Sequence, residues 1–163
     1  MSSLLEELPE TLRSVKTKPL FVLRLTVPKA HNVGLTPSGG RLLAVVSGGT
    51  FEGERLSGQV LEGGNDWFGL RSDDSSLLDV RLVLKTSDNA LVGMTYRGLR
   101  HGPAEVIARI SRGETVDPRS YYFRTSAMFE TASETYGWLN RIVAIGVGHR
   151  LPQGPVYSVF EVL

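Results

Sequence analysis

The amino-acid sequence predicts an all-β protein, a closed antiparallel β-barrel of about 8–10 strands preceded by a short helical segment. Three observations carry that expectation. From Lys18 onward apolar residues recur at every second position, the period of a half-buried strand. Clusters of turn residues (TPSGG, SGG, EGG, RSDDSS, SDN, RHGP, GETVDP and LPQGP) interrupt the chain at short intervals. The chain ends in VYSVFEVL, an apolar strand that would be a hazardous open edge unless another strand paired with it. A sandwich shares the first two features. Closure of the last strand on the segment Leu20 to Val27, together with the tight SDN hairpin, favours the barrel.

The elements follow in order. Leu4, Leu5, Leu8 and Leu12 recur at helical spacing, with Ser2 or Ser3 as cap, and Pro9 limits the helix to a short or broken one. Residues 1–17 are therefore read as a helical extension and residues 18–163 as one barrel domain. Strands are expected over Leu20 to Val27, Arg41 to Val46, Arg55 to Leu61, Asp79 to Thr86, Ala90 to Arg97, Glu105 to Ile110, Tyr121 to Thr125, Asn140 to Val147 and Val156 to Val162. The stretch Lys29 to Gly40 reads as a long loop and a candidate lid.

Composition narrows the function classes. Eighteen Lys and Arg against seventeen Asp and Glu leave a net charge of +1, with no basic cluster of the kind nucleic-acid binding requires. No apolar run approaches the ~18 residues of a membrane-spanning helix. The start lacks the basic and continuously apolar regions of a secretory signal, so a soluble cytoplasmic protein is the default expectation. With no cysteine, disulfides, thiolate nucleophiles and Cys-based zinc sites are excluded. His31, His101 and His149 have no metal-ligand spacing, no GxSxG elbow occurs, and the glycine pairs 48–49 and 63–64 match no phosphate-binding loop. No metal or cofactor is implied.

Polar residues embedded in apolar strands remain. In EGGNDWF, Asp66 precedes Trp67 and Phe68, and a carboxylate beside large rings loses hydration, which raises its pKa toward a value useful for proton transfer. Arg124 stands within the aromatic run YYFRT. If WLNRIVAIGVG is one strand, Trp138 and Asn140 share a face with Ala144, Gly146 and Gly148, whose small side chains leave room for a ligand. The bland reading makes Asp66 a turn residue, Arg124 a solvent-facing or ion-paired group, and Trp138 core filler. Asp79, Arg81 and Lys85 alternate with Val80, Leu82 and Leu84; charges outward is the simplest arrangement and a polar lumen the inverse. Tyr96 carries the same ambiguity, and Glu52 is either a second carboxylate near Asp66 or an exposed bulge residue.

The runs GGTFEG, GQVLEGGNDW, DVRLVLKTSDNALVGMTYRG, YYFRTSAMFET, YGWLN and VYSVFEVL, from about Leu20 to the C-terminus, together resemble the DUF3237 (UPF0311) family. The resemblance implies a lipocalin-like, calycin-like closed barrel. It also implies a site where Asp66, Arg124 and Asn140 meet, since the family's GGxDW, FRT and WLN segments fall on Gly63 to Trp67, Phe123 to Thr125 and Trp138 to Asn140. The chain departs from the family pattern at two turns, where RSDDSS and SDN stand in place of an expected Asp-Gly.

Three functions are weighed. In the first, a cofactor-independent enzyme, Asp66 moves a proton on an aromatic or conjugated carbonyl compound in an isomerase, cyclase, hydratase or lyase reaction. Arg124 and Asn140 polarise the oxygen, and Trp67, Phe123, Trp138, Tyr96 and Glu52 line the site. The second is a carrier or sensor of an apolar small molecule. The third is a filled barrel with no site. A small apolar or aromatic ligand is the expected partner, and assembly into a homo-oligomer is left open.

Overall fold

The computed structural model describes residues 3–163. The strands are β1 (Thr17–Thr26), β2 (Lys29–Thr36), β3 (Gly39–Val46), β4 (Gly48–Glu52), β5 (Ser57–Val60), β6 (Gly64–Leu70), β7 (Ser76–Thr86), β8 (Leu91–His101), β9 (Tyr122–Glu130), β10 (Ala144–Leu151) and β11 (Gly154–Val162). All pairings are antiparallel. Eight strands, β1, β4, β5, β7, β8, β9, β10 and β11, form the closed ring. The closure expected of the C-terminal strand is present: β11 lies along β1 from Thr17↔Val162 to Arg24↔Val156.

Three neighbours stand outside the ring. β6 continues β5 along the same edge of β7, β3 pairs with β6, and β2 pairs with β3. The β2–β3 hairpin therefore projects past one end of the barrel, here called the mouth. The stretch expected to be a loop and lid over Lys29 to Gly40 is thus mostly strand, closed by a short turn after Thr36. Its glycines and Pro37 suggested a loop, but its backbone groups are satisfied by β3. A bulge at Val33, between Asn32 and Gly34, absorbs the irregularity.

Alternation sorts the side chains. On β7, Ser76, Leu78, Val80, Leu82, Leu84 and Thr86 are buried, while Arg81 is exposed and Asp79 and Lys85 are half-buried on the outer face. The end of the barrel away from the mouth is packed solid by apolar side chains. Phe21 lies against Phe51 at 5.5 Å and against Phe129 at 6.1 Å between ring centroids, with Leu84, Val92 and Leu139 fully buried beside them.

One segment expected to be a strand is a helix, and the strand expected from Asn140 to Val147 starts later. Glu105 to Ile110 lies in helix α2 (Ala104–Ser111): Val106 and Ile110, four apart, are its buried residues, Pro103 precedes it, and Gly113 follows with φ 81°. Trp138 to Arg141 lies in a 3₁₀ turn (Gly137–Arg141) that closes the packed end, so the strand begins only at Ala144. The N-terminal segment forms one helical turn, α1 (Leu4–Glu7), and a 3₁₀ turn after Pro9. Ser3 and Glu6 make a reciprocal capping box; Ser2, the other candidate cap, lies outside the described residues. At the two unusual turns, Asp74 (φ 62°) and Asn89 (φ 70°) adopt the left-handed conformation that the missing glycines would have taken.

Ala144, Gly146 and Gly148 do face inward, but they leave no room for a ligand. A Cβ on Gly146 would lie 2.3 Å from Thr125 Oγ1, and one on Gly148 would lie 2.7 Å from the Phe123 ring. The small residues of β10 accommodate the large ones of β9. Gly148→Ala should accordingly destabilise the fold by about 1–3 kcal/mol through overpacking, measured as a lower urea midpoint with unchanged slope.

Candidate active site

Asp66 owes its position to two glycines. Gly63 takes a φ of 98°, which turns the chain into β6. At Gly64 a Cβ would lie 2.7 Å from a Leu82 methyl and 2.9 Å from the Arg81 carbonyl, so β6 could not approach β7 this closely with any other residue there. The β6–β7 ladder then pairs Asp66↔Val80 and resumes at Gly69↔Leu77. Between them the Asp79 N–H donates to Asp66 Oδ1 at 2.9 Å, so the side chain stands in for a missing rung. Asp66 is therefore a strand residue held against the lumen, not a residue of the turn itself.

Opposite it the lumen is lined by donors. Tyr96 lies across β7 from Asp66, and its hydroxyl is 3.2 Å from that of Tyr157 on β11. Arg100 follows four residues along β8, with its guanidinium carbon 5.3 Å from the Phe68 ring centre and 5.7 Å from that of Phe123. Arg150 enters from β10, its backbone N–H donating to the Tyr121 hydroxyl at 2.8 Å. Asp66, Phe68, Arg100 and Arg150 are half-buried, whereas Tyr96, Phe123 and Tyr157 are buried beneath them.

The electrostatics follow from this placement. Burial raises the Asp66 pKa from its ordinary 3.8 to about 6, with the Asp79 N–H and the Arg100 charge pulling the other way and the Asp79 charge adding to the rise. Burial, and then Arg150, pull the Arg100 guanidinium below its usual range. Burial pushes both tyrosines up, so they stay protonated donors at neutral pH. Near neutrality the site holds a carboxylate able to exchange a proton, beside fixed positive charge. That combination serves proton transfer at a carbon next to a carbonyl.

Of the residues singled out from sequence, Asp66, Tyr96 and Phe123 meet here. The others do not. Arg124 and Trp67 occupy outward positions: Arg124 sits over the Tyr122 ring at 5.0 Å and donates to the Phe123 carbonyl, and Trp67 is 47% exposed. The odd-even alternation of β9 puts Phe123 and Thr125 inside and Arg124 out. Asn140 lies at the packed end, where its side chain accepts from the Thr131 N–H at 2.7 Å and donates to the Thr131 carbonyl at 2.9 Å. Trp138 packs under Arg55, 4.0 Å from ring centre to guanidinium carbon. Glu52 is exposed at the end of β4. The expected meeting of Asp66, Arg124 and Asn140 is thus not formed, and Arg100, Arg150 and Tyr157 stand nearest to the roles given to Arg124 and Asn140. A signal for Arg100 was present, since YRGLR places it at even spacing from Tyr96 on a strand.

A shallow groove on the outer face of β8 and β9, floored by Gly93 and Thr95 and edged by Arg97, Met128 and Glu130, lies on the far side of the sheet from Asp66. Among the described residues no cluster of His, Asp and Glu suits a metal ion, and no helix is long and apolar enough to cross a membrane.

Comparison with known proteins places this geometry in context. The family model described as a protein of unknown function, DUF3237, matches residues 15–162. A UPF0311 protein of Rhodopseudomonas palustris is 33% identical over 150 residues, covering 92% of this chain and 98% of that protein. Its crystal structure superposes with a TM-score of 0.89 over 92% of this chain and 99% of that one. A β-barrel-like protein of Acinetobacter baumannii, 33% identical, gives 0.82 over 95% of this chain and 100% of that one. An enzyme from Penicillium herquei, 19% identical, gives 0.71 over 96% of this chain and 100% of that one, a likeness of fold alone.

Two measurements test the placement. Asn140→Ala should cost about 1–2 kcal/mol in urea denaturation, for the two lost hydrogen bonds, and leave the Asp66 carboxyl titration seen by ¹³C NMR unmoved. Asp66→Asn should act in the opposite sense. Because the folded pKa is raised above the unfolded one, Asp66 places no penalty on folding below pH 3.8 and a full penalty above about 6. The Asn variant escapes that penalty. It should exceed wild type by on the order of 2–3 kcal/mol above pH 6 and converge with it below pH 4.

Proposed function

The chain belongs to the DUF3237 (UPF0311) family of barrel proteins, and on that fold we propose a cofactor-independent acid–base enzyme acting on an aromatic or conjugated carbonyl compound. The observation that carries the reading is Asp66: a half-buried carboxylate with a pKa near 6, held by the Asp79 N–H and within the field of Arg100, which projects from β8 on the other edge of β7. That pKa makes it a base at neutral pH whose conjugate acid still returns its proton readily.

The step runs as a proton relay through one residue. Ionised Asp66 takes a proton from carbon adjacent to the substrate carbonyl; the C–H bonding pair forms the new C=C bond and the C=O π pair moves onto oxygen. Arg100 stabilises the resulting enolate, with Arg150 adding positive potential from β10. Protonated Asp66, whose carboxyl proton exchanges with solvent while the enolate is held, then protonates the α-carbon again or another atom of the enolate system, the latter giving an isomer; loss of a β-leaving group or ring closure starts from the same intermediate. Phe68 and Phe123 flank the guanidinium and limit its access to water. The same fold carries an enzyme in Penicillium herquei, so the barrel is compatible with catalysis.

The test follows solvent deuterium into a panel of aromatic and conjugated ketones by NMR. Wild type should exchange the α-proton of its substrate with kcat/KM rising as pH passes upward through about 6, the direction of Asp66 ionisation. Asp66→Asn should lose about 10²–10⁴-fold of that rate. Exchange at the wild-type rate in the Asn variant would remove Asp66 from the chemistry and leave a carrier as the reading of the barrel.

A further inference from the structure

The lumen's donors outnumber its acceptors. Arg100 Nε is buried with no hydrogen-bond partner. The pair Tyr96–Tyr157 shares one hydroxyl hydrogen across its 3.2 Å contact, and the second phenolic hydrogen has no protein acceptor among the described residues. Among the described residues neither Arg100 nor Arg150 has a carboxylate within ion-pair distance, although ion pairs on the outer surface are numerous. Two guanidiniums against one carboxylate, Asp66, leave this end of the lumen with one excess positive charge when all are ionised. A buried charge left in that state is costly unless a ligand completes it.

The surroundings constrain the rest of the ligand. Ala44 lies opposite Asp66, Leu42 opposite Phe68 and Gly40 opposite Leu70, so the lumen face of β6 continues onto the inner face of the β2–β3 hairpin as apolar surface. Leu70 is 46% exposed and Leu35, opposite Gly40, 91% exposed. We propose that the molecule accepted here carries, besides the reacting carbonyl, a carboxylate held by Arg150 and one edge of Arg100, whose remaining N–H donors are left to the enolate oxygen, and an unsaturated or aromatic body lying along Phe68 toward Leu42 and Leu70. A monoanion brings the site to neutrality, whereas a phosphate dianion overshoots it, and the planar guanidinium fork matches a carboxylate edge to edge. The inference deepens the acid–base reading and rests on the same site.

It also sets a pH response. The groups acting on Asp66 are Arg100 and Tyr96 of β8, Tyr157 of β11 and, through its backbone N–H and its charge on the outer face, Asp79 of β7. Burial places the Asp66 pKa at about 6, and it holds both tyrosines protonated well above that pH. A bound carboxylate is repelled by ionised Asp66, so it should bind more tightly as pH falls from 7.5 to 5.5.

The experiment measures dissociation constants by calorimetry for benzoate, cinnamate and sorbate, their primary amides, and inorganic phosphate. At least one carboxylate should bind tenfold or more tightly than its amide. Arg100→Gln and Arg150→Gln should each weaken it by tenfold or more and leave the amide unchanged, with Arg100→Lys intermediate; circular dichroism confirms that each variant is folded, and Arg150→Gln decides if Arg100→Gln is not. Amides binding as tightly as acids, or arginine variants binding carboxylates as wild type does, would overturn the proposal, as would phosphate binding more tightly than every carboxylate. Asp66→Asn separates the two readings. Arginine-dependent binding that is flat with pH in wild type sinks the role of Asp66 and keeps the carboxylate; a pH-dependent site with no preference for acids over amides does the reverse.

Discussion

Everything in this molecule depends on β11 lying along β1. That single pairing joins the two ends of the chain, converts a curled sheet into a ring and gives each ring strand an inside and an outside. With the ring closed, alternation alone assigns each side chain to lumen or solvent. A one-residue slip in the closing register would turn Tyr157 outward and leave Tyr96 without its partner. The lumen chemistry is in this sense a property of the register.

Within the ring the two ends do different work. The end closed by the 3₁₀ turn at Trp138 is filled by Phe21, Phe51, Phe129 and aliphatic side chains, and it supplies the hydrophobic stabilisation. The mouth end spends part of that stability on holding polar groups out of water. Asp66, Arg100 and Arg150 are poorly solvated, and the nearest opposite charges are not brought to ion-pair distance. A protein optimised only for stability would pair or remove them, and the ligand proposed above would supply the charge that the fold does not.

How much of this was legible in the sequence can be judged residue by residue. Period-two alternation revealed most of the strands and the apolar terminus revealed closure, because both are local consequences of burial on one face. Helix α2 was misread because six residues with Val106, Ile107 and Ile110 suit a short strand and a two-turn helix equally, until Pro103 and Gly113 are weighed as its ends. Asp66 stood out by its apolar neighbours. Its partners did not, because which strands face one another across a barrel is set by strand order and stagger, quantities that no local pattern contains. The aromatic company of Arg124 suggested burial, yet in β9 the neighbours alternate faces, and its ring contact, Tyr122, is itself on the outside. Asn140 and Trp138, which carry the family-like WLN segment, lie in the turn that closes the packed end, away from Asp66.

The hairpin that overhangs the mouth leaves β2 with a neighbour on one side only. Its outer edge offers unpaired amides and carbonyls to any extended chain it meets, the start of intermolecular sheet growth. The bulge at Val33 breaks that template: an incoming strand finds only Lys29 to Asn32 in uninterrupted register before the backbone kinks, and the run begins with a cation. The irregularity that made this stretch look like a loop thus also shortens the template that the open edge offers to a second chain.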